Sequence, residues 1–130
     1  MFERIVVGVA KIDRGREVAD RALDLASATG AEVHLVCAVK AVGDQVLSEI
    51  KRQAENYLDA VSESARPLVT HTHVLPEDPA DALLRVAGEV DADLIVVGNK
   101  GMKGAGRILG SIPNAVAHRA PCSVLILDSV

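Results

Sequence analysis

The sequence predicts an α/β fold: an open sheet of five parallel strands with helices on both faces. Five apolar runs of strand length alternate with four segments of helical character along the whole chain. Strict alternation of strands and helices is typical of parallel strands joined by right-handed crossovers. The strand segments are mostly continuous apolar runs, as expected where helices cover both faces of a sheet. At 130 residues the chain is expected to form a single domain, residues 1–130, with a substantial core.

The first half of the chain is predicted to contain three strands and two helices. The first helix carries apolar side chains at helical spacing and stops at Gly30, a residue type common at helix C-termini. The longer second helix opens at Gly43, presents one unbroken apolar stripe and ends at Arg66-Pro67. The third strand is weaker and alternating, which indicates a position near a sheet edge. The three predicted strands span residues 5–9, 32–39 and 68–75.

The second half is predicted to contain two helices and two strands. Asp78 is expected to cap a helix in which Pro79 takes the first position, and this helix ends near residue 90. The remaining predicted elements are a strand, a helix and a final strand, at residues 94–97, 111–119 and 123–127. In open parallel sheets ligands bind beyond the carboxyl ends of the strands, where the strand order reverses. The loops after the first and fourth strands are therefore the candidate binding site.

Composition argues against two classes of partner. The chain has one Phe, one Tyr and no Trp, so it lacks the aromatic platforms on which single-stranded nucleic acids stack. A net charge of −4 also disfavours a general nucleic-acid partner, which requires a basic surface. No stretch approaches the ~20 apolar residues of a membrane span. We therefore expect neither nucleic-acid nor membrane binding.

Cysteine placement and the N-terminus favour a cytoplasmic protein. Cys37 and Cys122 each lie in an apolar run, so reduced core residues are expected. A disulfide or redox pair is the alternative, but it has no Cys-x-x-Cys spacing to support it. The N-terminal apolar run is too short for a signal peptide and is soon followed by charged residues.

One stretch, residues 93–119, predicts an anion site. It reads as a buried strand, a glycine-rich loop and a helix that starts at or just after Gly110-Ser111. Backbone N–H groups and the helix dipole favour negative charge at such a helix start. The Walker-type phosphate loop and the dinucleotide-binding glycine motif are both absent. The glycines that let the backbone approach a ligand are Gly98, Gly101, Gly104, Gly106 and Gly110.

The whole chain resembles the universal stress protein family. The resemblance rests on Gly98-x-x-Gly101 followed by Gly110-Ser111, on the Asp-Ala-Asp-Leu-Ile-Val-Val-Gly segment at residues 91–98, and on Ala-Pro-Cys-Ser-Val-Leu-Ile at residues 120–126. It implies a Rossmann-like, adenine nucleotide alpha hydrolase-like fold. It also implies a role in the stress response with bound ATP, with ADP or AMP as alternatives and Mg²⁺ as an accompanying ion. Members of the family commonly form homodimers by pairing the last strand.

The resemblance also implies a set of nucleotide-binding residues. Gly98 and Gly101 would contact ribose and phosphate through their backbones, and Gly110 and Ser111 would bind phosphate oxygens. Ser111 is expected at the helix N-cap, where a hydroxyl faces the same space as the free N–H groups. Lys100, Lys103 and Arg107 add positive charge to the loop, either for phosphate contact or as a solvated surface. The rest of the set flanks the adenine or neighbours these residues: Val9, Ala10, Ala38, Asn99, Arg107 and Ile112.

Two departures from the family pattern support a competing hypothesis. Eight residues separate Gly101 from Gly110, where ATP-binding members have nine. The carboxylate that those members place directly after the first strand is replaced by Ala10. Loss of one charge-assisted hydrogen bond costs on the order of 1.5–3 kcal/mol. The alternative function is a nucleotide-independent dimeric stress protein that acts by binding partners.

The final strand supplies an independent reason to expect a homodimer. It is wholly apolar and ends close to the C-terminus. An unpaired apolar edge is an aggregation hazard unless another strand covers it.

No catalytic or metal-binding residue is predicted. No nucleophile and base are placed together, so the chain is at most a weak ATPase. His71 and His73 share a strand face, but the sequence shows no third ligand within reach, and we interpret them as exposed strand histidines. His34 lies amid apolar residues and is expected to be hydrogen-bonded or partly exposed. His118 lies in the last turn of a helix, where its positive form suits the dipole.

Overall fold

The predicted architecture is confirmed in the computed structural model, which describes residues 1–10, 13–99 and 108–128. Strands and helices alternate along the chain, as the apolar pattern predicts. In order they are β1 (Arg4–Gly8), α1 (Asp13–Thr29), β2 (Glu32–Ala38), α2 (Leu47–Ser64), β3 (Thr70–Leu75), α3 (Pro79–Glu89), β4 (Leu94–Asn99), α4 (Ser111–Arg119) and β5 (Ser123–Asp128).

The strand order places a topological switch point at the centre of the sheet. The five strands are arranged β3-β2-β1-β4-β5, and every neighbouring pair is parallel. Val6 of β1 lies opposite His34 of β2 on one side and Ile95 of β4 on the other. The chain runs outward from β1 to β3, then returns to the far side of β1 with β4. The reversal of strand order therefore falls between β1 and β4, where the predicted site lies.

Two apolar layers enclose the sheet. On one face, α1 and α2 pack against Ile5 and Leu35; on the other, α3 and α4 pack against Val6 and Ile95. All four of these strand side chains are fully buried. Successive strand residues point to opposite faces, so burial on both faces requires apolar residues at both parities. This explains the continuous apolar runs from which the fold was predicted.

The predicted starts of the second helix and the third strand are wrong. The second helix begins at Leu47, and Gly43 lies in the preceding turn with a φ of +64°. Val46 fits the helical spacing of the predicted apolar stripe, but it is the N-cap residue and 53% exposed. The third strand begins at Thr70 because Leu68 closes a turn in which its N–H donates to the carbonyl of Ala65 at 3.0 Å.

Two predicted helix termini are confirmed. Gly30 ends α1 with a φ of +74°, a conformation that glycine adopts at little cost. The Asp78 carboxylate caps α3 by accepting from the N–H groups of Ala80 and Asp81, at 3.1 and 3.3 Å. Pro79 occupies the first helical turn, as expected. These residues therefore set where α1 ends before β2 and where α3 begins after β3.

Neither Cys37 nor Cys122 forms a disulfide bond in the described part of the chain. Cys37 is buried in the core, as predicted, and Cys122 is partly buried beside α3 and α4. Burial raises the pKa of the Cys122 thiol, and the nearby Asp93 carboxylate raises it further. Among the helices of the described ranges, none is both long and apolar enough to cross a lipid bilayer.

Candidate functional site

The candidate site lies where the carboxyl ends of β1 and β4 meet the start of α4. β4 ends at Asn99, two residues beyond the predicted end at Val97. The helix begins at Ser111, so the prediction that it starts at or just after Gly110-Ser111 is confirmed. The strand end and the helix start are thus the two described borders of the glycine-rich loop.

Asn99 joins these two borders. Its side chain is buried, with 5% exposed. Its Nδ2 group donates to the carbonyl of Ile108 at 3.0 Å, and its Oδ1 atom accepts from the backbone N–H of Gly110 at 2.8 Å. The amide therefore serves as donor and acceptor at once and sets the distance between the end of β4 and the start of α4. The sequence named Asn99 as a neighbour of the glycines but not as this anchor.

Gly110, and not Ser111, is the N-cap of α4. Its φ of −62° is ordinary for any residue, so backbone freedom is not the reason for glycine here. A Cβ atom at this position would lie 3.1 Å from Oδ1 of Asn99, which is closer than an ordinary van der Waals contact. The Asn99 side chain would have to shift to make room for it. Glycine is therefore favoured by the close approach of Asn99. Ser111 is the first helical residue, and its side chain is exposed.

The start of α4 offers backbone donors to an anion. Gly110 has no side chain with which to cap the helix, and no capping side chain bonds there in the described part of the chain. The N–H of Gly110 is used by Asn99, Pro113 has none, and that of Asn114 donates to Gly110. Among the described residues, the N–H groups of Ser111 and Ile112 are the first-turn donors for which no partner is seen, and the positive end of the helix dipole lies behind them.

The opposite wall of the site contains the predicted adenine-flanking residues. Val9 is buried in the core, and its N–H donates to the carbonyl of Val36 at 2.9 Å. Ala10 is exposed and Ala38 is half-buried. Of the three predicted adenine-flanking residues, only these two alanines therefore present side chains near the surface. Neither supplies a polar group for a nucleoside.

Several predicted loop residues fall outside the described ranges. They are Gly101 and Arg107 of the predicted nucleotide-binding set, together with Lys100 and Lys103. The described part of the site consists of its two borders and the adjoining ends of β1 and β2.

The histidines form a second polar group at the other end of the strands. His71 and His73 were expected to lack a third ligand, but the sheet brings Glu32 and His34 of β2 beside them. His34 is buried and hydrogen-bonded, as one reading of the sequence predicted. The signal that was missed is the register, because His34 lies directly opposite His71. His118 and Arg119 occupy the last turn of α4, as expected for His118.

Comparisons with known proteins agree with this architecture over almost the full chain. A sequence model of the universal stress protein family matches residues 1–128. Universal stress protein Rv1636 of Mycobacterium tuberculosis is 32% identical over 153 residues, which cover 98% of this chain and 97% of that protein.

Two solved structures extend the comparison to proteins with bound nucleotides. A universal stress protein in complex with cAMP is 28% identical, covers 99% of each chain and superposes with a TM-score of 0.77. The universal stress protein from Archaeoglobus fulgidus in complex with dAMP is 27% identical over 95% of this chain and 96% of that one, with a TM-score of 0.74. Because the family model matches residues 1–128, this chain belongs to the universal stress protein family.

Proposed function

We propose that this protein binds an adenine nucleotide at the switch point between β1 and β4 and acts in the cytoplasmic stress response by nucleotide-dependent interaction. ATP, with Mg²⁺, is the first candidate, and ADP or AMP are the alternatives. The observation that carries the proposal is the start of α4, which no side chain of the described ranges caps and which Asn99 holds beside the end of β4. A phosphate placed there meets two backbone N–H groups and the helix dipole.

The two neighbours with bound ligands support the same ligand class. One holds cAMP and the other dAMP, and these share an adenine base and a single phosphate. In this chain the phosphate would lie against Gly110, Ser111 and Ile112. The base would lie between the ends of β1 and β2, where Ala10 and Ala38 provide apolar contact and no hydrogen bond from their side chains. The phosphate end is therefore expected to supply most of the affinity.

Titration calorimetry of the purified protein with ATP, ADP and AMP, with and without Mg²⁺, tests the proposal. We expect saturable heat for at least one nucleotide below millimolar concentration. Absence of heat for all three at millimolar concentration would contradict it. Turnover of ATP that Ser111→Ala abolishes would instead identify an ATP-splitting enzyme.

Replacing Ser111 by glutamate is expected to weaken nucleotide binding at least tenfold without loss of stability. A carboxylate in the first turn of α4 interacts favourably with the helix dipole but repels a phosphate at the same place. Calorimetry measures the affinity, and urea unfolding measures the stability. The matched control is Ala117→Glu, which adds the same charge on an exposed position of α4 away from its start. Equal affinity in both variants would place the phosphate elsewhere.

The alternative function, nucleotide-independent partner binding by a homodimer, is favoured by two observations. The exposed residue after β1 is Ala10, which cannot replace the carboxylate of ATP-binding members. In addition, β5 is an edge strand of the sheet, and Leu125 on it is 37% exposed. An apolar edge of this kind is suited to pairing with the same strand of a second copy.

If β5 forms the dimer contact, Leu125→Lys is expected to convert dimer to monomer, because a charged side chain would lie in the paired edge. Sedimentation velocity, with and without nucleotide, measures the change. Val69→Lys is the control. Val69 is 59% exposed and lies just before β3, the strand at the opposite edge of the sheet. A monomeric parent protein would contradict the dimer.

A further inference from the structure

Four polar side chains meet at the edge of the sheet, on the face that α3 covers. Glu32 and His34 lie on β2, and His71 and His73 lie on the edge strand β3. The register pairs His34 with His71 and Val36 with His73, so the three imidazoles point to one side. We refer to these four residues as the histidine cluster. It lies toward the amino ends of the strands and is thus separate from the nucleotide site at their carboxyl ends.

Three potential ligand atoms in the histidine cluster converge. Nε2 of His34 lies 2.8 Å from Oε1 of Glu32, and Nε2 of His71 lies 3.7 Å from the same oxygen. One ligand atom from each of the three residues lies within 4.8 Å of the other two. Ligands of a tetrahedral Zn²⁺ at bond lengths of about 2.0–2.1 Å are separated by about 3.4 Å. The observed separations bracket that value.

Burial divides the three side chains into one fixed and two adjustable ligands. The side chain of His34 is 6% exposed, whereas those of Glu32 and His71 are 35% and 48% exposed. The rings of His34 and His71 are stacked, with centroids 4.6 Å apart and planes at 15°. An ion shared by both Nε2 atoms requires the His71 ring to turn out of this stack. Its exposure allows that turn, and the same exposed side gives an ion access to the cluster.

His73 supports the buried ligand from behind. Its Nε2 atom lies 2.9 Å from Nδ1 of His34. When Nε2 of a histidine binds a metal, Nδ1 carries the proton and needs an acceptor, and such partners hold the ring in place. In the tautomer that leaves Nε2 unprotonated, the His73 ring supplies that acceptor at 2.9 Å. His73 is therefore a positioning residue for His34.

We propose that Glu32, His34 and His71 form a site for a divalent transition metal of the Zn²⁺ class, with the fourth position open to water. Two imidazoles and one carboxylate suit Zn²⁺, Cu²⁺ or Ni²⁺, while Mg²⁺ prefers an all-oxygen shell. The site does not depend on nucleotide binding. A metal there would tie the start of β2 to the edge strand β3.

The test uses the tag-free, full-length protein after treatment with a chelator. Calorimetric titration with ZnCl₂ is expected to give one ion per chain with micromolar or tighter affinity, and MgCl₂ is expected to give no heat. His71→Ala is the informative variant because its side chain is half exposed and its loss should leave the metal-free protein folded. We expect it to weaken Zn²⁺ binding at least tenfold. His118→Ala, an exposed histidine on α4, is the matched control and should bind as the parent does.

The visible absorption spectrum of bound Co²⁺ distinguishes the loss of a metal ligand from the loss of the positioning residue His73. With Co²⁺ the parent should show the intense visible bands of tetrahedral coordination, and His71→Ala should lose them. His73→Leu removes the acceptor for Nδ1 of His34 and should weaken binding 10–100-fold. His73→Gln keeps an acceptor oxygen and should bind more tightly than His73→Leu. Zn²⁺ affinity that is unchanged in His71→Ala, or lost equally in His118→Ala, would overturn the proposal, as would a parent protein that binds no Zn²⁺.

Discussion

Replacing Asn99 by alanine is expected to lower the free energy of unfolding by about 1–3 kcal/mol and to weaken nucleotide binding at least tenfold. The change removes two hydrogen bonds at once and leaves the carbonyl of Ile108 and the N–H of Gly110 without their partner. It also frees the start of α4 from the end of β4. Urea unfolding and calorimetric titration with the tightest-binding nucleotide measure the two effects.

Controls for this prediction separate the anchor from general changes to the site. Asn114→Ala alters an exposed asparagine on the same helix and is expected to change stability by no more than about 0.5 kcal/mol. Asn99→Asp keeps the acceptor for Gly110 but loses the donor to Ile108, so its stability should fall between those of the parent and of Asn99→Ala. Full affinity in Asn99→Ala would show that the loop geometry is held by other contacts.

Replacing Leu58 by alanine is expected to lower the free energy of unfolding by about 2–5 kcal/mol. Leu58 is fully buried in the core layer between α2 and the sheet. Its truncation removes apolar burial and leaves a cavity that the surrounding strands can only partly fill. Urea unfolding monitored by circular dichroism measures the loss.

Leu47→Ala is the matched control for Leu58, since it is the same substitution on the same helix at a position that is 37% exposed. It should cost well under half as much. At temperatures where Leu58→Ala is still folded, its nucleotide affinity should equal that of the parent, because α2 lies away from the ends of β1 and β4. Equal destabilisation by the two variants would mean that the layer under α2 is loosely packed.

The fold could be predicted because its signals are local. Continuous apolar strands reflect burial on both faces, as Ile5 and Val6 show by pointing into opposite layers. Asp78 and Gly30 mark helix ends through side-chain and backbone preferences that act within one turn. The same local reasoning misplaced the start of α2, because Val46 fits the helical spacing but is the N-cap residue and lies exposed.

The position of the candidate site could be predicted from the sequence, but its side-chain contacts could not. The glycine pattern predicted a helix start at Gly110-Ser111, which the structure confirms. It did not predict that Asn99 bonds to Gly110 across eleven positions of the chain. That contact depends on how the loop returns to the end of β4, which no local preference determines.

The sequence by itself determined the class of fold, the edge position of β3 and the family to which the chain belongs. Only the tertiary structure decided which polar side chains act together. His34 and His71 are neighbours because the sheet aligns β2 and β3 in one register, and a shift of one residue would turn one of them to the opposite face. Register is set by the packing of whole strands and helices, so pairs formed across strands cannot be read from either strand alone.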